Sequence, residues 1–316
     1  MKLGLLFAGQ GSQKPGMGKD FYDNSAEFRK VFDTLSDELK ETAFEGPMEK
    51  LSYTANAQPI MVAFAAGVMA ELNKTFAEAG IRPQMAAGLS LGEYSALHSA
   101  GVFDAETAVN MVSLRGKAMA EAAEGIECAM TAVLGLDREI LAECCSQAGS
   151  LGKVSIANYN CPGQIVIAGE KVPVEEAGRL ALEKGAKRCM PLPVSGPFHT
   201  EFMKPAGAVL EEVFKKTQFN DMTFDVIFNA IGRCKKEDES IAQLLVKQVS
   251  SSVYFEDSLK EMEAAGIDTV IEIGPGKALS GFVRKTCKGM KILNIETWED
   301  LQKVSAPLKG EMQDEK

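Results

Sequence analysis

Gly88-Leu89-Ser90-Leu91-Gly92 is a G-x-S-x-G pentapeptide, and its reading decides the fold. A short apolar run, Gln84-Met85-Ala86-Ala87, precedes it, and a helical pattern follows from Glu93 through His98 to Gly101. A strand that turns sharply into a helix needs flanking glycines, and the turn lifts the serine hydroxyl clear of the backbone. The next amide, that of Leu91, then lies at a helix N-terminus, aimed where an oxyanion would form. Five residues with three fixed positions recur by chance, so the strand before and the helix after are what give the pentapeptide weight. The competing reading is a tight turn with an ordinary serine.

Working outward, strand and helix patterns alternate along the chain and make it α/β throughout. A first strand over 3–8 runs into the polar, glycine-rich segment 9–16. Helical patterns follow near 25–40 and 59–79, the latter with Pro59 in its first turn, and then over 105–123 with Asp104 as N-cap. Residues 126–192 differ: strands at 128–134, 154–158, 164–168 and 186–192 enclose helices at 138–147 and 174–184. That β-α-β-β-α-β order is the order of a ferredoxin-like unit, and we read it as an inserted subdomain. The larger fold comprises 1–125 and 193–302; its second part carries helices near 202–216, 238–249 and 255–265 and strands at 224–228 and 269–273. The charged stretch 303–316 is expected to fray.

Composition bounds the function. The chain has 316 residues, is 46% hydrophobic and 25% charged, and carries a net charge of −10. That balance belongs to a globular protein and argues against nonspecific nucleic-acid binding and a basic membrane-surface role. Seven cysteines without C-x-x-C spacing, beside only two histidines, give no zinc pattern; scattered free thiols suit a reducing cytoplasm. The segment 3–8 is too short for a signal core, and the longest apolar run, 60–70, is too short to span a bilayer. The latter reads as a buried helix. No leader, no membrane span and a monomer are the expectations.

A serine needs a base. His98 lies eight residues beyond Ser90 on the same helix, roughly 12 Å away at the standard rise, and cannot reach it. His199 remains, in Pro197-Phe198-His199-Thr200, just ahead of a helical pattern whose dipole would hold its pKa down. No carboxylate is singled out to orient it, so a backbone carbonyl is one option. Arg115 sits about 200° around its helix from Ser113 and Lys117, off the polar stripe of Glu106, Asn110, Ser113 and Lys117. An inward guanidinium needs an anion, either a structural carboxylate or a substrate's. The loop 9–16 fits neither G-x-G-x-x-G, since Lys14 stands where glycine is required, nor the Walker pattern; its amides suit an oxyanion hole.

Taken together, these segments resemble the malonyl-CoA:acyl carrier protein transacylase family over nearly the whole chain. The resemblance rests on Phe7-Ala8-Gly9-Gln10-Gly11-Ser12-Gln13, Gly88 to Leu97, Leu114-Arg115-Gly116, and Asn160-Cys161-Pro162-Gly163-Gln164. It continues in Pro193-Val194-Ser195-Gly196-Pro197-Phe198-His199 and Glu272-Ile273-Gly274-Pro275-Gly276-Lys277. It implies a hydrolase-like parallel-sheet core with a ferredoxin-like subdomain, and malonyl transfer from coenzyme A to the phosphopantetheine thiol of acyl carrier protein. It assigns Ser90 as the acylated residue, His199 as base and acid, and the Gln10 and Leu91 amides as oxyanion hole. Arg115 would hold the malonyl carboxylate, the Gln248 carbonyl would orient His199, and Phe198 and Met119 would line the acyl pocket. No metal or bound cofactor is implied, because both thiol carriers are substrates. Two departures stand out: Leu89 replaces the usual histidine before the nucleophile, and Ser250-Ser251-Ser252-Val253-Tyr254-Phe255 lacks the common proline and tryptophan.

Since the carrier is acidic, docking calls for a local basic patch; Lys187, Arg188, Arg284, Lys285 and Lys288 are the candidates. A serine hydrolase with the same dyad and a scaffold that kept only the fold are the competing readings. A nucleotide-binding protein ranks last.

Overall fold

Leu3–Phe7 is buried along its whole length, a pattern that calls for cover on both faces of the sheet it joins. The computed structural model describes residues 1–310 and provides that cover. In chain order the strands are β1 (Leu3–Phe7), β2 (Met85–Gly88), β3 (Cys128–Leu134), β4 (Val154–Cys161), β5 (Gln164–Glu170), β6 (Arg188–Pro191), β7 (Asp225–Phe228), β8 (Arg233–Cys234), β9 (Val253–Tyr254), β10 (Thr269–Ile273) and β11 (Lys291–Ile295). Six form one sheet, ordered β11-β10-β1-β2-β7-β8, with the first five strands parallel and β8 antiparallel at the edge. Side chains alternate between two cores as a period of two requires. Leu5, Phe7, Ala86, Val226, Phe228, Ile271 and Ile273 face one core, whereas Leu6, Ala87, Ile227 and Val270 face the other.

The first core is closed by the helix Thr54–Ala79, which packs closely on the helix Ala105–Ala123 and buries Ile60 through Met69. By length and composition Thr54–Ala79 could cross a membrane, but most of its apolar window is buried inside the protein. It begins earlier than its sequence pattern suggests. The Tyr53 carbonyl accepts from the Asn56 and Ala57 amides, so Pro59 stands beyond the first turn rather than in it. The segment 25–40 is likewise two helices, Ala26–Phe32 and Asp37–Glu45, because Ser36 caps a fresh start by accepting from the Leu39 amide.

β3 to β6 form a second sheet in the order β6-β3-β5-β4, antiparallel at each of these pairings, with the helices Arg138–Ala148 and Lys171–Glu183 packed against it. The sheet does not end with residues 126–192. β9, from the serine-rich segment after Gln248, adds alongside β4 in parallel. The expected fraying tail needs correction: Trp298–Leu308 is a helix with a Thr297–Asp300 capping box, and it buries Leu301 and Val304. The remainder of that tail, residues 311–316, lies outside the described residues.

Candidate active site

The loops that follow β1, β2 and β7 meet at the carboxyl ends of the parallel strands, where open α/β sheets gather their ligands. Between β2 and the helix Gly92–Ser99 the chain turns through Ser90 at φ 52°, a left-handed conformation that few side-chain-bearing residues adopt. Both flanking glycines are obligatory for steric reasons. A β-carbon on Gly88 would lie 1.9 Å from the Gly92 carbonyl carbon, and one on Gly92 would lie 2.2 Å from the Phe7 carbonyl oxygen. The tight turn therefore carries a strained, partly buried serine at the cleft rather than an ordinary one.

Ser90 Oγ lies 2.7 Å from His199 Nε2, and His199 Nδ1 lies 2.9 Å from the Gln248 carbonyl oxygen. A carbonyl can only accept, so Nδ1 carries the proton and Nε2 is left to accept from the serine hydroxyl. His199 is buried and its pKa is pushed down to about 4, first by burial and then by the neighbouring Arg115 charge. The direction is the one the sequence suggests, but the cause differs. A short 3-10 turn, Glu201–Met203, separates His199 from the helix Lys204–Phe214, so the dipole of that helix is not what sets the value. His98 is elsewhere, with Nδ1 3.0 Å from the Phe103 carbonyl oxygen.

Arg115 is 1% exposed. Its Nη2 donates to Ser90 Oγ at 3.1 Å and to Gln248 Oε1 at 3.0 Å, and its guanidinium stands over the Tyr94 ring. Among the described residues no carboxylate forms an ion pair with it and its Nε has no partner. Burial lowers its pKa, while Tyr94 and Glu93 act in the opposite sense. The structural-carboxylate option is thus unfilled.

A cleft of about 290 Å³ opens over the serine, lined by Gln10, Leu89, Ser90, Arg115, Met119, Phe198 and His199 from the large-sheet side and by Met130, Asn158, Asn160 and Val166 from the second sheet. Among the described residues the Gln10 and Leu91 N–H groups donate to no protein partner, so both are open to a ligand oxygen. Met119 receives a contact from Gln58 Nε2 at its sulfur, and Phe198 packs over Gly196. Leu89 lies partly buried beside the nucleophile. Asn160 Oδ1 is buried without a partner among the described residues. All eight site residues expected from the sequence therefore converge on one locus, Leu91 through its position in the turn and Gln248 through its contacts with His199, Arg115 and Ser90.

Two residues that the sequence did not point to complete it. Asn229, directly after β7, accepts from the Ser90 amide at 2.6 Å and donates to the Gly88 carbonyl at 2.7 Å. Its own amide donates to Glu93 Oε2 at 2.6 Å. Glu93 is wholly buried, and burial pushes its pKa up to about 7. The only sequence signal for Glu93 was its place after the pentapeptide; Asn229 gave none.

Three of the basic candidates, Lys187, Arg188 and Lys285, lie at one end of the second sheet. Leu134 pairs with both Gln164 and Arg188, Lys187 donates to the Leu134 carbonyl, and Lys285 Nζ donates to Gln164 Oε1. Lys187, Arg188, Arg284, Lys285 and Lys288 are all exposed.

Residues 5–309 match the acyl transferase domain family. The chain is 43% identical over 315 residues to the malonyl CoA-acyl carrier protein transacylase of Bacillus subtilis, covering 98% of each chain. It is similar to the crystal structure of the Clostridium perfringens malonyl CoA-acyl carrier protein transacylase, with a TM-score of 0.90, 42% identity and 98% of each chain covered. It also resembles a malonyl-transacylase solved in complex with its holo type II PKS acyl-carrier protein, with a TM-score of 0.91, 34% identity, and 97% of this chain and 100% of that one covered. A turn that forces a serine onto a buried histidine, beside a buried guanidinium with no carboxylate, fits what these relatives are named for, and the chain belongs to the malonyl-CoA–acyl carrier protein transacylase family of acyltransferases.

Proposed function

We propose that the protein moves a malonyl group from coenzyme A to the phosphopantetheine thiol of an acyl carrier protein through a malonyl-Ser90 intermediate, for fatty-acid or polyketide synthesis. The observation that carries this reading is Arg115, a buried cation whose Nη2 lies 3.1 Å from the serine oxygen and which no carboxylate among the described residues ion-pairs. A malonyl group brings its own carboxylate; an acetyl group does not.

In the first half-reaction neutral His199 takes the Ser90 proton at Nε2 as Oγ attacks the thioester carbonyl. The developing oxyanion points at the Gln10 and Leu91 amides, and fixed donors of this kind cost no reorganisation. The carbonyl re-forms, the C–S bond breaks, and His199 returns the proton to the departing coenzyme A sulfur. In the second half-reaction His199 takes the carrier thiol proton, the sulfur attacks the malonyl ester, and Ser90 leaves with its proton restored. Neither step changes an oxidation state, so the chemistry requires no cofactor. Phe198 and Met119 bound the acyl pocket and Gln248 fixes the imidazole tautomer. The carrier would dock at the cationic end of the second sheet, around Lys187, Arg188 and Lys285. We read the parallel sheet as a hydrolase-like core built from 1–125 and 193–302, residues 126–192 as a ferredoxin-like subdomain, and the protein as a cytoplasmic monomer.

Initial-rate kinetics test this reading. A ping-pong enzyme gives parallel double-reciprocal lines for malonyl-CoA and holo carrier, and exchanges labelled coenzyme A into malonyl-CoA without carrier present. Intersecting lines with no exchange would refute the acyl-enzyme, and release of free malonate without carrier would indicate a hydrolase.

A further inference from the structure

Ser90 is held at both its backbone N–H and its carbonyl by side chains from elsewhere in the chain. Its carbonyl accepts from Gln248 Nε2 at 2.9 Å, and its amide donates to Asn229 Oδ1. Asn229 also grips the residue that ends β2, through the Gly88 carbonyl, and is itself anchored by Glu93 in the first turn of the helix beyond. One fully buried residue, 136 to 141 positions away in sequence, therefore ties together the strand end, the nucleophile and the helix start. The bonds are needed because Ser90 sits at φ 52°, a conformation that persists only where its surroundings over-determine it. If Ser90 relaxed to negative φ, Oγ would swing off His199 and the Leu91 amide would turn with the same peptide.

We infer that Asn229 is a positioning residue for the nucleophile, held in place by Glu93, and that it sets the rate of acylation rather than the affinity for the thioester. This rests on Ser90 being the acylated residue. An asparagine suits the post because its side-chain amide accepts from the Ser90 N–H and donates to the Gly88 oxygen together at any pH. An ionised aspartate offers two acceptors and no donor, so it would face the Gly88 carbonyl oxygen with a second negative oxygen; a protonated one restores both bonds. The charged or titratable residues around this position include Glu93 and Tyr94 on the helix Gly92–Ser99, Arg115 from its helix, His199, and Tyr254, whose amide donates to the Asn229 carbonyl.

The test is single-turnover malonylation by malonyl-CoA, followed by intact mass, in the wild type and in Asn229→Ala, Asn229→Asp and Ser90→Ala. Val304→Ala, in the C-terminal helix away from the site, serves as a control for lost stability. Asn229→Ala is expected to keep its KM within about threefold while the acylation rate falls on the order of 10²-fold. Asn229→Asp is expected to be slow near pH 8 and to recover as the pH falls toward about 6, as its carboxyl protonates. In the wild type His199 remains neutral down to about pH 4, so Glu93 is the group of the site that titrates across this window. Glu93 titrates in both proteins, so the difference between the profiles isolates position 229. Wild-type rates in either variant, a loss no greater than that of an equally destabilised Val304→Ala, or an Asn229→Asp profile parallel to wild type would overturn the proposal. Malonylation of Ser90→Ala would instead overturn the nucleophile assignment on which it rests.

Discussion

Arg115→Ala should convert a malonyl-selective enzyme into an indiscriminate one, and the structure allows the size of the change to be worked out. The guanidinium is 1% exposed and directs Nη2 at Ser90 Oγ and Gln248 Oε1, with Nε unpartnered. A malonyl carboxylate in the cleft would complete a buried, charge-assisted pair. Removing one partner of such a pair costs about 3–5 kcal/mol, because the other is left desolvated and unpaired. At 1.36 kcal/mol per decade, that is roughly a 10²- to 5 × 10³-fold loss in kcat/KM for malonyl-CoA. An acetyl group never had the contact, and in wild type it leaves the guanidinium buried without an anion. Its rate should fall only by whatever Arg115 contributes to placing Ser90 and Gln248, a factor common to both substrates. The ratio of malonyl to acetyl kcat/KM removes that common factor. Measured by coenzyme A release with holo carrier as acceptor, the ratio should drop by at least about 10²-fold. Arg115→Lys should fall between, since an ammonium keeps the charge and loses the fork. Equal losses for malonyl and acetyl transfer would refute the argument and make Arg115 a purely structural cation.

Other consequences can be checked independently. Because the His199 pKa is pushed from 6.5 to about 4, His199 should impose an acidic limb on the acylation rate only on approaching pH 4; a limb near 6.5 that persists in Glu93→Gln would contradict the burial argument. The same depressed value makes His199's share of stability complete above about pH 6.5 and lost as pH falls toward 4, which acid-unfolding curves of His199→Gln against wild type would reveal by the loss of that pH dependence. Gly92→Ala should destabilise the fold by about 3 kcal/mol or more, read as a lowered denaturation midpoint, because its β-carbon meets the Phe7 carbonyl oxygen and backbone cannot yield as a side chain does. A Lys187→Glu, Arg188→Glu, Lys285→Glu triple variant should raise KM for holo carrier about tenfold or more, increasingly at low salt, and leave malonyl-CoA loading unchanged; an unchanged carrier KM would place docking elsewhere.

The features legible in the sequence were those written in neighbouring residues. The pentapeptide, the Asp104 cap that accepts from the Thr107 amide, and the off-stripe placement of Arg115 depend on local spacing, and the structure places all three as that spacing predicts. His199 followed by elimination, since His98 could not reach. Long-range bonds were hidden. Asn229 meets Ser90 across 139 positions and Gln248 meets His199 across 49, and no periodicity encodes such meetings. The cause of the His199 shift was likewise misread, because a helix start can be guessed from sequence whereas burial against Arg115 cannot. β8 and β9 are only two residues long each and take their pairing from neighbours, so they carry no pattern of their own. Pro59 misled for a related reason: a proline marks a helix start by local preference, and packing of the long buried helix overrode it.

The central claim is that Ser90 carries the malonyl group between two thiols. Intact-protein mass spectrometry after mixing with malonyl-CoA, followed by addition of holo acyl carrier protein, tests it most directly. The account predicts a single malonyl adduct that maps to Ser90, is absent in Ser90→Ala, and disappears as malonyl-carrier forms. A full-size adduct on Ser90→Ala, or carrier malonylated with no enzyme adduct at any time, would contradict it.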